Sequence, residues 1–149
     1  MKTLVIYDSL YGNTKIIAQA IGDVIPGDAK VLHVGEVDAS ALGAYDLLIV
    51  GAPTHGGGPS DPAKELLEKV QASALTGVKV AAFDTRHTAR LLRLFGFAAP
   101  KIAKSLQKKS GTLVGAAEGF FVTGTKGPLK EGEIERAAAW AKGIVGLIG

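Results

Sequence analysis

Short apolar runs alternate with stretches of helical period along this chain. Residues 3–7, 47–50 and 78–83 are near-continuous apolar runs, the pattern of strands buried on both faces. Residues 30–34 alternate, with Lys30 and His33 among them, which predicts an edge strand. Residues 111–117 and 120–123 form a last strand, kinked at Glu118-Gly119. Between these lie helical patterns. Residues 14–25 place Ile17, Ala20, Ile21 and Val24 on one face and stop before Pro26-Gly27. Asp61-Pro62 opens a second helix, with Asp61 as the cap and proline at the first helical position. Residues 97–109 predict a basic helix ending at Ser110-Gly111. Residues 131–147 predict the last helix, with Ile134, Ala137, Ala141, Ile144 and Ile148 facing inward.

Strands that alternate with helices make a parallel sheet covered on both faces, so the expected architecture is a three-layer α/β sandwich. Five strands with a polar second one favour the order 2-1-3-4-5, in a single domain spanning residues 1–149. Ligands bind such sheets beyond the carboxyl ends of the strands, near the order reversal. The loops after Asp8, Gly51, Asp84 and Thr123 are therefore the ones to read for chemistry.

Composition narrows the classes. Apolar residues are 47% of the chain and charged residues 21%, which describes a globular chain rather than a disordered one. There is no cysteine, so disulfides, thiolate metal sites and a cysteine nucleophile are excluded. A net charge of +3 is far from that of a dedicated nucleic-acid binder. No apolar run reaches the ~20 residues that span a bilayer, and the N-terminus reads as a strand rather than a signal peptide. A cytoplasmic location is expected.

The first loop, Asp8-Ser9-Leu10-Tyr11-Gly12-Asn13-Thr14, is rich in side-chain oxygens and leads straight into a helix. Helix N-termini offer free N–H groups and a partial positive charge, which suit phosphate. No Lys or Arg sits in the loop before Lys15, so neutral donors holding one phosphate are expected, not a triphosphate site. Neither the Walker pattern nor GxGxxG is present. With Ile6 and Tyr7 before it and Ala18 and Ile21 after it, this loop resembles the N-terminal FMN-phosphate signature of the flavodoxin family.

The resemblance implies a short-chain, flavodoxin-like fold, FMN as cofactor, and electron transfer between redox partner proteins as the function. It places Ser9, Leu10, Tyr11, Gly12, Asn13 and Thr14 at the phosphate. It makes Pro53, Thr54, His55, Gly56, Gly57 and Gly58 the first loop around the isoalloxazine ring. There a Thr meets the phosphate or ribityl chain, the next residue packs on the ring, and a glycine peptide turns toward flavin N5. His55 stands where many members carry a Trp or another large residue, either against the ring or as an ordinary loop histidine. Asp84, Thr85, Arg86 and His87 correspond to the second ring loop. Many members stack a Tyr there; this chain has none, which leaves the outer ring face to Arg86 or His87, or open to a substrate.

Charge is the other departure. Between positions 84 and 109 stand Arg86, Arg90, Arg93, Lys101, Lys104, Lys108 and Lys109 against Asp84 alone. A basic rim favours a reduced, anionic flavin and so predicts a weaker reductant than an acidic flavodoxin. The same surface is a candidate docking face for redox partners. Within it, residues 90–97 interleave cations with Leu and Phe, which suits an acidic protein, a quinone or peripheral contact with anionic lipid. Alternatively, the Leu and Phe residues simply pack into the core. A monomer or weak dimer is expected.

Rival classes fit less well. A phosphoacceptor receiver needs an aspartate where this chain has Gly51-Ala52-Pro53, and a serine hydrolase needs a G-x-S-x-G elbow. His33, His55 and His87 lack metal-ligand spacing, and no aromatic platform supports nucleic-acid binding. Two alternatives to an electron carrier stay open: a flavodoxin-like FMN oxidoreductase acting on a quinone or porphyrinogen, and an interaction module without flavin.

Overall fold

The first apolar run forms β1 (Lys2–Tyr7), and its side chains alternate between two cores. Leu4 and Ile6 enter one core, while Val5 and Tyr7 enter the other. The computed structural model describes residues 1–87 and 96–149. After β1 come α1 (Asn13–Val24), β2 (Asp28–His33) and two short 3₁₀ turns, Val34–Glu36 and Ala39–Ala44. The middle of the chain holds β3 (Leu47–His55), β4 (Gly58–Pro59), α2 (Asp61–Lys69) and β5 (Lys79–His87). The last part holds α3 (Ala98–Lys108), β6 (Thr112–Leu113), β7 (Glu118–Val122) and α4 (Glu133–Ile148).

The sheet order is β2-β1-β3-β5-β6, with β7 also beside β5 and β4 folded back on β3. Every pairing except the β3–β4 hairpin is parallel. Taken together, β6 and β7 are one interrupted edge strand, so the order is the expected 2-1-3-4-5. The interruption falls between residues 113 and 118, around Gly115 at φ 70°, not at Glu118-Gly119, where β7 already begins.

The helices cover both faces. On one, α2 and α3 bury Ala63, Leu66, Leu67, Ile102 and Leu106; on the other, α1 and α4 bury Ile17, Ile21, Ala137, Ala141 and Ile144. Each fully buried Leu or Ile contributes about 1.5–3 kcal/mol relative to exposure. No helix among the described residues is long and apolar enough to cross a membrane.

Three local expectations change. Strands β3 and β5 run on through Pro53↔Thr85, and β7 carries β5 as far as His87↔Val122. The segments expected as loops at 51–55 and 84–87 are therefore strand ends. Ser60, not Asp61, is the cap residue of α2. Ile134 is exposed, because α4 starts at Glu133 and buries that carboxylate instead. Phe121 N–H donates to Glu133, and Arg136 pairs with it at 2.6 Å.

Candidate functional site

The carboxyl ends of β1, β3 and β5 open into one cleft of about 480 Å³, within the ~300–1,000 Å³ usual for small-ligand sites. At one end lies the start of α1. Its cap residue is Gly12, at φ 93°, and no side chain caps the helix. Ser9 Oγ accepts the Gly12 N–H at 3.0 Å and folds the loop back on itself. Thr14 and Thr85 hydroxyls meet at 2.8 Å across the cleft floor. Two hydroxyls sharing one hydrogen bond keep one O–H donor over for a ligand. Asn13 Nδ2 donates to Lys126 O at 3.2 Å, which ties the loop after β7 to this helix start. Lys126 Nζ lies 5.9 Å from the Tyr11 ring centre, so a cation from the loop after β7 reaches the loop before α1.

Beneath this loop sits buried Asp8. Ser60 Oγ donates to its Oδ2 at 2.5 Å, and His33 Nε2 lies 3.1 Å from its Oδ1. His33 Nδ1 accepts the Gly35 N–H at 3.0 Å, so the ring proton is on Nε2 and points at the carboxylate. This is an anchor for the loop and not a hydrolytic triad, since the serine bonds the carboxylate and not the imidazole.

The other end of the cleft starts at a hairpin. Thr54 pairs with Pro59 and His55 with Gly58, leaving Gly56 and Gly57 as a two-residue turn at φ 55° and 83°. Both values lie in the left-handed region, which matches strand twist in tight hairpins and demands glycine or its nearest substitutes. Lys101 Nζ donates to Gly57 O, and Thr54 Oγ1 accepts the Ala98 N–H at 3.0 Å. The hairpin is thereby tied to α3 at two points.

The third wall is built around a buried acid. Asp84 is fully buried and takes Arg86 Nε and Nη2 at 2.7 Å each, with the Ala99 N–H at 2.8 Å. The Arg86 guanidinium lies 3.7 Å from the centre of the Phe97 ring. It also lies flat against Gly119, where a Cβ would come within 2.2 Å of its Cζ. An aromatic ring in the cleft wall is thus backed by a fixed cation, and the cation's charge is matched by Asp84.

Of the residues expected to hold a cofactor, thirteen line the cleft: Ser9, Leu10, Tyr11, Asn13, Thr14, Pro53, Thr54, His55, Gly56, Gly57, Thr85, Arg86 and His87. Gly12, Gly58 and Asp84 do not line it; they set the helix start, close the hairpin and hold Arg86. Phe97, Val122 and Thr125 line it as well and were not on that roster. Phe97, expected at the start of a helix, stands just before α3. Residues 90–95 of the cation-and-leucine segment 90–97 lie outside the described residues.

The donor set fits a group with one phosphate and a flat body. Neutral hydroxyls and an uncapped helix start converge at one end, and Pro53, His55 and Phe97 face the other. Cβ positions built on Gly12 and Gly56 meet nothing within 4 Å.

The family model described as Flavodoxin domain matches residues 4–117. A relative named probable flavodoxin 1, from Bacillus subtilis (strain 168), is 34% identical over 88 residues. That match covers 56% of this chain and 56% of the relative, so the chain spans little more than half of that protein's length. Oxidised flavodoxin 1 from Bacillus cereus superposes with a TM-score of 0.81 at 23% identity, over 98% of both chains. Flavodoxin 2 from Bacillus cereus gives 0.80 at 26% identity, over 98% of this chain and 99% of that one.

Proposed function

The chain belongs to the flavodoxin family, and from that premise we propose that it binds FMN in the cleft and carries electrons between redox partner proteins. The observation that supports this best is the continuity of the cleft. It runs from the uncapped start of α1 to the Gly56–Gly57 turn and Phe97, with donors at one end and a ring-shaped wall at the other.

In this reading the residues divide the work. The N-terminal turn of α1, with Ser9, Asn13 and Thr14, holds the phosphate through neutral donors and the helix dipole. Thr54 and Thr85 stand along the path between the two ends. Pro53, His55 and the hairpin turn wall the ring on one side, and Phe97, backed by Arg86, on another. Bound FMN supplies reversible uptake of one or two electrons, while the protein supplies position and electrostatics. Asp84 matches the charge of Arg86, so this pair adds no net charge to the wall. Partners dock on the basic surface that includes α3.

The test is reduction of the FMN-loaded protein by light and a sacrificial donor. Two separate one-electron stages, followed by transfer to a one-electron acceptor protein, are expected. A single two-electron step coupled to NADPH-driven turnover of a quinone would replace the carrier reading with the oxidoreductase one.

A further inference from the structure

A second hollow, of about 280 Å³, lies between α2 and α3 on the far side of the hairpin from the cofactor cleft. Pro59 and Leu67 form its apolar floor, and both are buried. Around them stand Lys64 from α2, Lys101 and Lys108 from α3, and Lys109 at the end of α3. Glu68 is the one acid in the lining.

From this arrangement we propose that the α2–α3 groove docks the carboxylate side chains of an acidic redox partner protein. The proposal rests on the electron-transfer reading and names the partner's chemistry. Beside Lys101, which is engaged at Gly57 O, the ammonium groups of Lys64, Lys108 and Lys109 ring the same small hollow and act together on an occupant, because the screening length at physiological salt is ~8 Å. Such a field steers an acidic partner and raises its association rate more than its final affinity. The volume lies below the ~300 Å³ at which small-molecule sites begin, so the hollow suits one or two side chains rather than a second cofactor.

Its position gives the docking a consequence. Gly57 lines the cofactor cleft, Pro59 lines the groove, and Lys101 lines the groove while donating to Gly57 O. A partner seated in the groove therefore rests against the hairpin that walls the ring end of the cleft. A membrane surface fits less well. Lipid-binding faces present projecting apolar side chains, whereas the exposed large apolar residues among the described ones are Met1, Leu10, Tyr11, Ile16, Ile134 and Leu147, none of them in the groove.

The experiment is an NMR titration of ¹⁵N-labelled, FMN-loaded protein with a short peptide of glutamate and leucine. Saturable shifts at Lys64, Leu67, Lys101 and Lys108, weakened by added salt, are expected. The double variant Lys64→Glu, Lys108→Glu is expected to bind the peptide roughly tenfold or more weakly while holding FMN as before, since neither lysine lines the cleft. Shifts elsewhere, no saturable shift, or unchanged affinity in the double variant would overturn the proposal. So would stronger binding, through the same lysines, to vesicles of phosphatidylserine. A wild-type protein that holds FMN but shows no peptide effect removes the groove alone; a wild-type protein that takes up no FMN removes the electron-transfer reading.

Discussion

Substituting Arg86 by Leu probes the wall that frames the ring end of the cleft. The change removes two charge-assisted hydrogen bonds of 2.7 Å from Asp84, leaving that fully buried carboxylate with the Ala99 N–H. Deleting one partner of a buried ion pair costs about 3–5 kcal/mol, because the remaining charge is stranded. The Arg86 side chain is 16% exposed, so water already shares part of the pair, and the lower end of that range applies. Losing the guanidinium over Phe97 at 3.7 Å removes a further ~0.5–2 kcal/mol. A total near 3–5 kcal/mol corresponds to a fall in Tm of about 6–20 °C for a chain of this length. Urea unfolding of the FMN-free protein measures it. The double variant Asp84→Asn, Arg86→Leu is expected to recover much of the loss, since Asn still accepts from Ala99 and carries no charge. A single variant within about 1 kcal/mol of wild type, or a double variant as unstable as the single, would refute the stranded-charge argument.

Gly119→Ala is expected to act on the same pair from behind, because its Cβ would lie 2.2 Å from Arg86 Cζ; it should lower Tm and weaken FMN binding together, read by calorimetry and flavin fluorescence. Thr14→Val leaves the buried Thr85 hydroxyl without its 2.8 Å partner, with an expected cost of about 1–3 kcal/mol in unfolding and weaker FMN binding in a fluorescence titration. Gly56→Ala forces a side chain to φ 55°; a loss of about 1–2 kcal/mol is expected, measured by thermal unfolding. Arg136 holds the Glu133 carboxyl below its ordinary value near 4.5. The stability this contributes is present above pH 4.5 and is lost as pH falls through the lowered value. The Tm gap between wild type and Glu133→Gln should therefore narrow on acidification below pH 4.5, and a gap constant with pH would contradict it.

How much of this could be read from residue order depended on how local the cause was. The order 2-1-3-4-5 followed from apolar runs alternating with helical periods, and the cleft-lining loop from Gly12 and its neighbouring hydroxyls just before α1. The ends of β3 and β5 were misread as loops because they carry Pro53, Thr54, Asp84 and Arg86. Those residues stay in the sheet because neighbouring strands on both sides of β5 pair with it, which no local pattern records. Phe97 was hidden for a related reason: it reaches the cleft from just before α3 and depends on Arg86 two strand positions from Asp84. Ser60 and His33 meet at Asp8 from distant segments, so their anchoring role had no signature in sequence. Ile134 was placed inward by helical spacing, yet the start of α4 at Glu133 turned that position outward.

The proposed function stands on the uncapped start of α1 holding the phosphate of FMN at one end of the cleft. It is tested most directly by titrating the FMN-free protein with FMN and, in parallel, with riboflavin, which has the same ring and no phosphate. A one-to-one yellow complex with FMN is expected, with binding to riboflavin weaker by about a hundredfold or more, the loss of two or more charge-assisted hydrogen bonds. Equal affinity for the two flavins, or uptake of neither, would contradict it.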